Sequence, residues 1–239
     1  MSCPLCNQQN HQYIGEKNNY KLVKCLSCDF IHVNPMPQST ILEKLYDHYS
    51  QTDNYLKKLK KKIFTSRYKL KKLRKYLKSN HLKFLDVGCS IGATVEAAHQ
   101  LGFLATGIDL DKVAIKEAST LFPNNQFQTI TTQDLAKNKN LYDLIYCAEV
   151  VEHVPDPHEF ISSLNSLMNK GSILYLTTPD AGHRKVPKDF VSWNRVTPPE
   201  HIGYFNRQTM TKLLEEHNFQ IIKYFWSHRA NMRVVCRKV

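Results

Sequence analysis

From Leu82 onward, short apolar runs alternate with stretches whose apolar residues recur every three or four positions. Strands and helices taking turns in this way predict an α/β fold with a parallel sheet. Strands are expected at Lys83–Val87, Leu104–Ile108, Gln126–Ile130, Tyr142–Cys147 and Ser172–Thr177. Helices are expected at Ile91–Leu101, at Lys112–Leu121 behind an Asp111 cap, and from an Asp156 cap to Gly171. A further helix from about Gln208 to His217, with Asn206 as its cap, precedes two apolar runs. Those runs, Phe219–Trp226 and Met232–Cys236, are short enough to form an antiparallel pair. Before Leu82 the prolines of Asn34-Pro-Met-Pro37 break the chain, and helical patterning follows from about Ser39 to His48. It resumes through Leu56, Leu59, Ile63, Leu70, Leu73 and Leu77, an amphipathic helix whose apolar stripe is interrupted at Ser66. The resulting division is a segment over 1–37, a helical connector over 38–80, and an α/β domain over 81–239 with a long insert at 180–206.

The first segment has its own chemistry. Cys3-Pro-Leu-Cys6 and Cys25-Leu-Ser-Cys28 are separated by 18 residues, within the spacing of paired C-x2-C zinc knuckles. Four thiolates fill a tetrahedral site and leave no position for water, so Zn²⁺ bound by Cys3, Cys6, Cys25 and Cys28 is expected to be structural. Metal would supply folding energy to a segment too short to bury a core of its own. An odd count of seven cysteines and the absence of an export signal argue against disulfides. Cys89, Cys147 and Cys236 have no cysteine neighbours, and the first two read as buried small residues.

Between the first strand and first helix lies Asp86-Val-Gly-Cys-Ser-Ile-Gly92, a glycine turn at the edge where such sheets bind ligands. A dinucleotide site would require G-x-G-x-x-G, but counting from Gly88 the later positions are Ser90 and Ala93. S-adenosylmethionine (SAM) has no pyrophosphate and needs carboxylates for its ammonium and its ribose diol. Asp86 and Asp109 end the first two strands, and Asp134 follows the third, within reach of an adenine amino group.

DVGCSIG, TGID, TTQDLA, YDLIYCAEVVEHVPDP and LYLTTPD together resemble successive motifs of class I SAM-dependent methyltransferases. AEVVEHVPDP resembles the ubiquinone-biosynthesis type of O-methyltransferase. PPEHIGYFNRQTMTKLLEEHNF is similar to bacterial members acting on sugars or secondary metabolites, which often carry an N-terminal zinc-binding segment. The resemblance implies a Rossmann-like seven-stranded sheet with helices on both faces and its seventh strand antiparallel. It implies cofactor contacts from Asp86, Gly88, Cys89, Gly92, Asp109, Leu110, Asp134, Leu135, Ala148 and Glu149. Ser90 departs from the pattern, since many members have glycine there.

Methyl transfer to a hydroxyl needs positioning and a base. His153, after the fourth strand, and His201, in the insert, are the candidate catalytic residues; each has an alternative structural reading. Trp193, Tyr204 and Phe205 are placed to line an apolar acceptor pocket. Glu149, Glu152 and His153 offer a metal-ligating cluster as an alternative, but three nearby polar residues are weak evidence for one, and no catalytic metal is expected.

Charge sharpens the choice of partner. The net charge is +12, yet Lys57–Lys78 holds twelve basic residues and no acidic one, and the rest of the chain is neutral. The expected function is methylation of a small-molecule acceptor, on oxygen of a sugar- or secondary-metabolite-like compound. One alternative is an RNA methyltransferase using the basic helix; another is a non-catalytic SAM-binding protein whose zinc segment recognises a partner. The run is mostly lysine, which suits attraction to nucleic acid, an anionic membrane or a phosphorylated acceptor without reading bases. MSCPLCNQQN has no signal-peptide pattern and no apolar run approaches about 20 residues, so a cytoplasmic location is expected.

Overall fold

The computed structural model describes residues 2–38, 40–42, 52–77 and 82–239. Two sheets organise them. The small sheet holds β1 (His11–Lys17), β2 (Tyr20–Cys25), β3 (Ile31–Val33) and β9 (Gly203–Tyr204), in that order. The large sheet contains β4 (Lys83–Val87), β5 (Leu104–Asp109), β6 (Gln126–Thr129), β7 (Tyr142–Ala148), β8 (Met168–Pro179), β10 (Phe219–Tyr224) and β11 (Asn231–Lys238). Its order is β10-β11-β8-β7-β4-β5-β6. β4 through β8 run parallel and β11 is antiparallel to both of its neighbours, as the resemblance implies.

Helix α1 (Thr52–Arg74) precedes the sheet, and α2 (Ala93–His99), α3 (Lys112–Leu121), α4 (Thr132–Lys137), α5 (Pro157–Ser166) and α6 (Arg207–Glu216) connect its strands. Alternation along each strand divides the core. Phe84, Leu144 and Ile173 pack with Leu70 and Leu73 of α1 and Val95 of α2, while Leu85, Ile145 and Leu174 pack with Phe160, Leu164 and Leu213 of α5 and α6. Asp111, Asp156 and Asn206 cap their helices by accepting backbone N–H groups. Ser66, which breaks the apolar stripe of α1, is buried and shares a hydrogen bond of 3.2 Å with Thr94 of the neighbouring helix.

Some elements differ from the sequence expectation. The helix capped by Asp156 stops at Ser166, and Met168–Gly171 begin β8. The β7–β8 register shifts between Tyr142 and Leu144, and Gly171, at φ +90°, lies opposite this shift. That glycine therefore marks a strand irregularity rather than a helix end. The strand from Phe219 ends at Tyr224, beyond which Trp226 is largely exposed. Neither α4 nor the short strands of the small sheet stand out in the hydrophobic pattern. Of the helix expected over Ser39–His48, residues 40–42 are helical and the rest lies outside the described residues.

The cysteine-bearing segment shares packing with the main body. β3 pairs with β9 through Ile31–Tyr204 and His32–Gly203, joining the N-terminal segment to the insert. Cys3, Leu5, Cys25 and Phe30 belong to the same buried cluster as Leu85 and Leu164. Trp193 and Tyr204 were expected to line a pocket; instead they are buried with Leu22 and Val196, and Phe205 packs its ring 4.7 Å from that of Phe30. These aromatics clamp the insert to the N-terminal layer because each finds an apolar partner there.

Candidate functional site

Parallel strands place their carboxyl ends at one edge, and the turns after β4, β5 and β7 meet there. Gly88 has φ +74°, and a Cβ on it would lie 2.5 Å from Val150 Cγ2, so both backbone and neighbour require glycine. Ser90 adopts φ 48°, the left-handed region, which glycine enters without the Cβ penalty. Its backbone N–H donates to Asp109 Oδ2 at 2.7 Å, and Asp111 N–H donates to Asp109 Oδ1 at 3.0 Å. Asp109 is thereby held in one orientation at the end of β5.

Asp86 is 4% exposed on the sheet face covered by α1. Burial and then the Asp109 charge raise its pKa well above the carboxylate norm, while Lys69 opposes the rise. Burial also raises Asp109. Two neighbouring carboxylates under this stress are suited to a cationic group and hydroxyl donors. Register continues the polar row from Asp86 to Tyr146 and on to Tyr175. The two tyrosine rings lie 4.9 Å apart, and Lys69 Nζ donates to Tyr146 Oη at 3.4 Å. Lys69 has a solvent-accessible side chain, yet partial burial and Arg233 lower its pKa. Lys69, Tyr146, Tyr175 and Arg233 are absent from the sequence-based site. The polar break at Ser66, three residues before Lys69, was the available signal.

Other expected cofactor residues take distinct positions. Leu110 is 40% exposed beside Asp109, whereas Cys89 and Leu135 are buried. Cys89 packs beneath the turn, where a Cβ at Gly107 would meet its sulfur at 2.8 Å. Leu135 turns its side chain into the core, leaving only its backbone for a ligand. Gly92 caps α2 in the left-handed conformation. Asp134, at the start of α4, is exposed and pairs with Lys137 at 2.6 Å. Ala148 ends β7, and Glu149 follows it at φ 59°.

After β7 the chain builds a second polar cluster with the insert. Glu149 accepts from Thr177 Oγ1 at 3.0 Å and forms an ion pair with Arg195. Glu152, 1% exposed, accepts from Thr178 Oγ1 at 2.9 Å, while Ile202 N–H donates to its backbone oxygen. His153 Nδ1 lies 2.7 Å from Glu200 O, and His201 Nδ1 lies 2.7 Å from Arg195 O. These contacts assign Nδ1–H donor tautomers to both rings, whose centroids are 4.8 Å apart.

Glu152, His153 and His201 each bring one ligand atom within 4.8 Å of the others. Glu149 was paired with Glu152 and His153 in the sequence-based metal cluster; Arg195 engages it, and His201 completes the convergent trio. These donors are compatible with a divalent cation and with a proton-handling network. Burial and then the Glu149 charge raise Glu152, burial lowers His153, and burial with His153 lowers His201 to about 4. Glu152 Oε1, Arg195 Nε and Thr197 Oγ1 are buried without hydrogen-bond partners among the described residues. Buried polar atoms of this kind call for polar company.

In the N-terminal layer, Cys3 Sγ lies 3.7 Å from Cys28 Sγ, Cys6 Sγ lies 3.4 Å from Cys25 Sγ, and all four sulfurs fall within 4.8 Å of one another. Tetrahedral Zn–S bonds of ~2.3 Å imply sulfur separations of about 3.8 Å, so the cluster fits a zinc ion. His32 is buried beside it, with Nε2 3.4 Å from His11 Nε2, and His158 Nε2 lies 2.9 Å from Leu5 O.

A seven-stranded sheet whose last strand in the chain is antiparallel, a glycine turn after its first strand and acids near the carboxyl ends of the first two strands define the class I SAM-dependent methyltransferase architecture. The chain belongs to the methyltransferase-domain family, whose model matches residues 51–224. Among curated relatives, the ubiquinone biosynthesis O-methyltransferase of Glaesserella parasuis serovar 5 is 36% identical over 105 residues, covering 40% of this chain and 44% of that protein. The protein of the same name from Histophilus somni is 30% identical over 174 residues, 66% of either chain. The matches therefore span from less than half to about two thirds of these relatives. The structure of magnesium protoporphyrin IX methyltransferase from Synechocystis PCC 6803 with bound SAH has a TM-score of 0.61 at 18% identity, covering 84% of this chain and all of that one. That last likeness establishes the shared fold. No helix among the described residues is long and apolar enough to cross a membrane.

Proposed function

We propose that the protein transfers a methyl group from SAM to an oxygen of a small sugar- or secondary-metabolite-like acceptor. The observation supporting this reading is the meeting of the Asp86–Asp109 acid pair with the Glu152–His153–His201 cluster at one sheet edge. SAM, when bound, supplies an electrophilic methyl group. Asp86 receives its ammonium, Lys69 is placed to neutralise its carboxylate, and Asp109 accepts from the ribose hydroxyls. Asp134 turns from Lys137 toward the adenine amino group. The curated O-methyltransferase relatives favour oxygen as the accepting atom.

His153 is the better base of the two histidines, because His201, at about 4, takes up a proton reluctantly. His201 orients His153 across their edge-on contact, and Glu149 holds Arg195 at the site wall. In the same reading, the four cysteines bind Zn²⁺ as a structural ion. It braces the layer that supports the insert through Lys17 Nζ donating to Val191 O at 2.9 Å and Asn18 Nδ2 donating to Pro198 O at 2.8 Å.

The test is release of SAH from SAM across a panel of phenolic, sugar and polyketide hydroxyl acceptors. An accepted substrate should turn over about 10²–10⁴ times more slowly in His153→Ala, with SAM affinity unchanged. Unchanged turnover would remove His153 as base. SAM binding with no acceptor methylated would instead support a cofactor-binding protein.

A further inference from the structure

Among the described residues, the packing of α1 against the fold uses its inner half. Leu70 and Leu73 are buried, Ser66 bonds α2, and Lys69 reaches Tyr146. On the opposite side, Lys57, Lys61, Phe64, Tyr68, Lys72 and Lys75 follow at steps of three or four and form one stripe along the helix. All six are exposed, Phe64 at 73% and Tyr68 at 60%. Among the described residues, none of the stripe's lysines has a carboxylate within ion-pair distance. Among the described residues, then, two exposed aromatic rings are flanked at both ends by positive charge without a carboxylate partner.

We infer that this outer face of α1 docks the protein on an anionic lipid bilayer. The stripe lies on a convex cylinder, which meets a plane along its length, whereas single-stranded nucleic acid is held in grooves with open aromatic platforms. Lys72 Nζ sits 4.2 Å over the Tyr68 ring and occupies a face that a base would need. The charges are ammonium groups without the planar fork that reads bases. On a bilayer, Phe64 and Tyr68 enter the headgroup boundary while the lysines remain among lipid phosphates. Each lysine near such a surface contributes about fivefold in affinity. Docking in this orientation holds Lys69 and the edge of the large sheet on the protein side of the same helix, independently of the acceptor's chemistry.

The experiment is cosedimentation of the full chain with phosphatidylcholine vesicles containing about 30% phosphatidylglycerol, against pure phosphatidylcholine, at ~100 mM NaCl. Binding to the anionic vesicles alone is expected, weakening as salt is raised. Phe64→Ser with Tyr68→Ser should weaken it at least about fivefold, and Lys57→Gln, Lys61→Gln, Lys72→Gln and Lys75→Gln together about a hundredfold or more. SAH affinity and the far-ultraviolet spectrum of both variants should match the parent, because every changed side chain faces solvent. No binding to anionic vesicles, equal binding to neutral ones, or equal binding by the quadruple variant would overturn the assignment. So would tighter binding to single-stranded RNA at the same salt that is lost in the aromatic variant.

Discussion

β4, at the centre of the large sheet, buries four of its five residues between parallel neighbours, while β1, at the edge of the small sheet, has no buried residue. The first is held by apolar side chains such as Phe84 and Leu85, each contributing about 1.5–3 kcal/mol on burial. The second depends on four converging sulfurs and on apolar surface borrowed from Trp193, Val196 and Phe205. A layer that stabilises itself can devote its edge to ligand acids. A layer without its own core is suited to bracing a neighbour, and here it braces the insert that carries His201.

Removing the sulfur cluster should break this contrast most strongly. Structural zinc supplies apparent binding free energies of about 10–16 kcal/mol in small domains, so, with the cysteines holding zinc as proposed, Cys25→Ser or exhaustive chelation should unfold the small sheet. The expected signature is amide-exchange protection lost over β1–β3 and the insert but retained over β4 and β7. Turnover should fall with it, because His201 and Arg195 belong to the released segment. Uniform protection after verified metal removal would show that borrowed packing alone holds the layer.

Asp109→Ala should produce the opposite pattern. It removes acceptors fixed by Ser90 and Asp111, and charged hydrogen bonds are each worth about 1.5–3 kcal/mol. SAM affinity measured by calorimetry should drop about a hundredfold, with protection of the small sheet unchanged. Affinity within threefold of the parent would move the ribose site elsewhere.

Acid should probe the seam between the two layers. His201 is 6% exposed, and burial, then His153, hold it near 4 against an ordinary value of about 6.5. Between those values the unfolded chain binds more protons than the folded one, so the stability associated with neutral His201 is full above pH 6.5 and lost as pH falls toward 4. The slope integrates to roughly 3 kcal/mol. His201→Gln should flatten the fall of the urea midpoint over this window, and an unaltered slope would exclude His201 as its source.

The large sheet was legible because its apolar runs are set by its own burial: Lys83–Val87 and Lys112–Leu121 fall where the pattern places them. β3 and β9 were not, since strands of three and two residues are made by pairing across the molecule and leave no periodic trace. The same cause hid the fate of Trp193 and Tyr204, whose apolar character signals burial without naming the partner. In the candidate site, Asp86 and Asp109 follow from strand ends. Arg195 and Lys69 reach it from the insert and from α1, a convergence that no local spacing encodes.

Ser90 offers the finest test of how strictly the edge of the stable sheet is shaped for its ligand. Its φ of 48° strains a side chain that the core does not need, while its backbone N–H orients Asp109. Glycine adopts that conformation without the Cβ penalty but has more freedom to lose on folding, so the two effects partly cancel. Ser90→Gly should therefore raise the unfolding free energy by less than about 1 kcal/mol and leave the Ser90–Asp109 contact in place. SAM affinity should stay within about twofold, since the contact uses the backbone alone. A tenfold loss would mean that the Ser90 hydroxyl itself meets the cofactor, giving this turn a polar contact that a glycine at the same position cannot make.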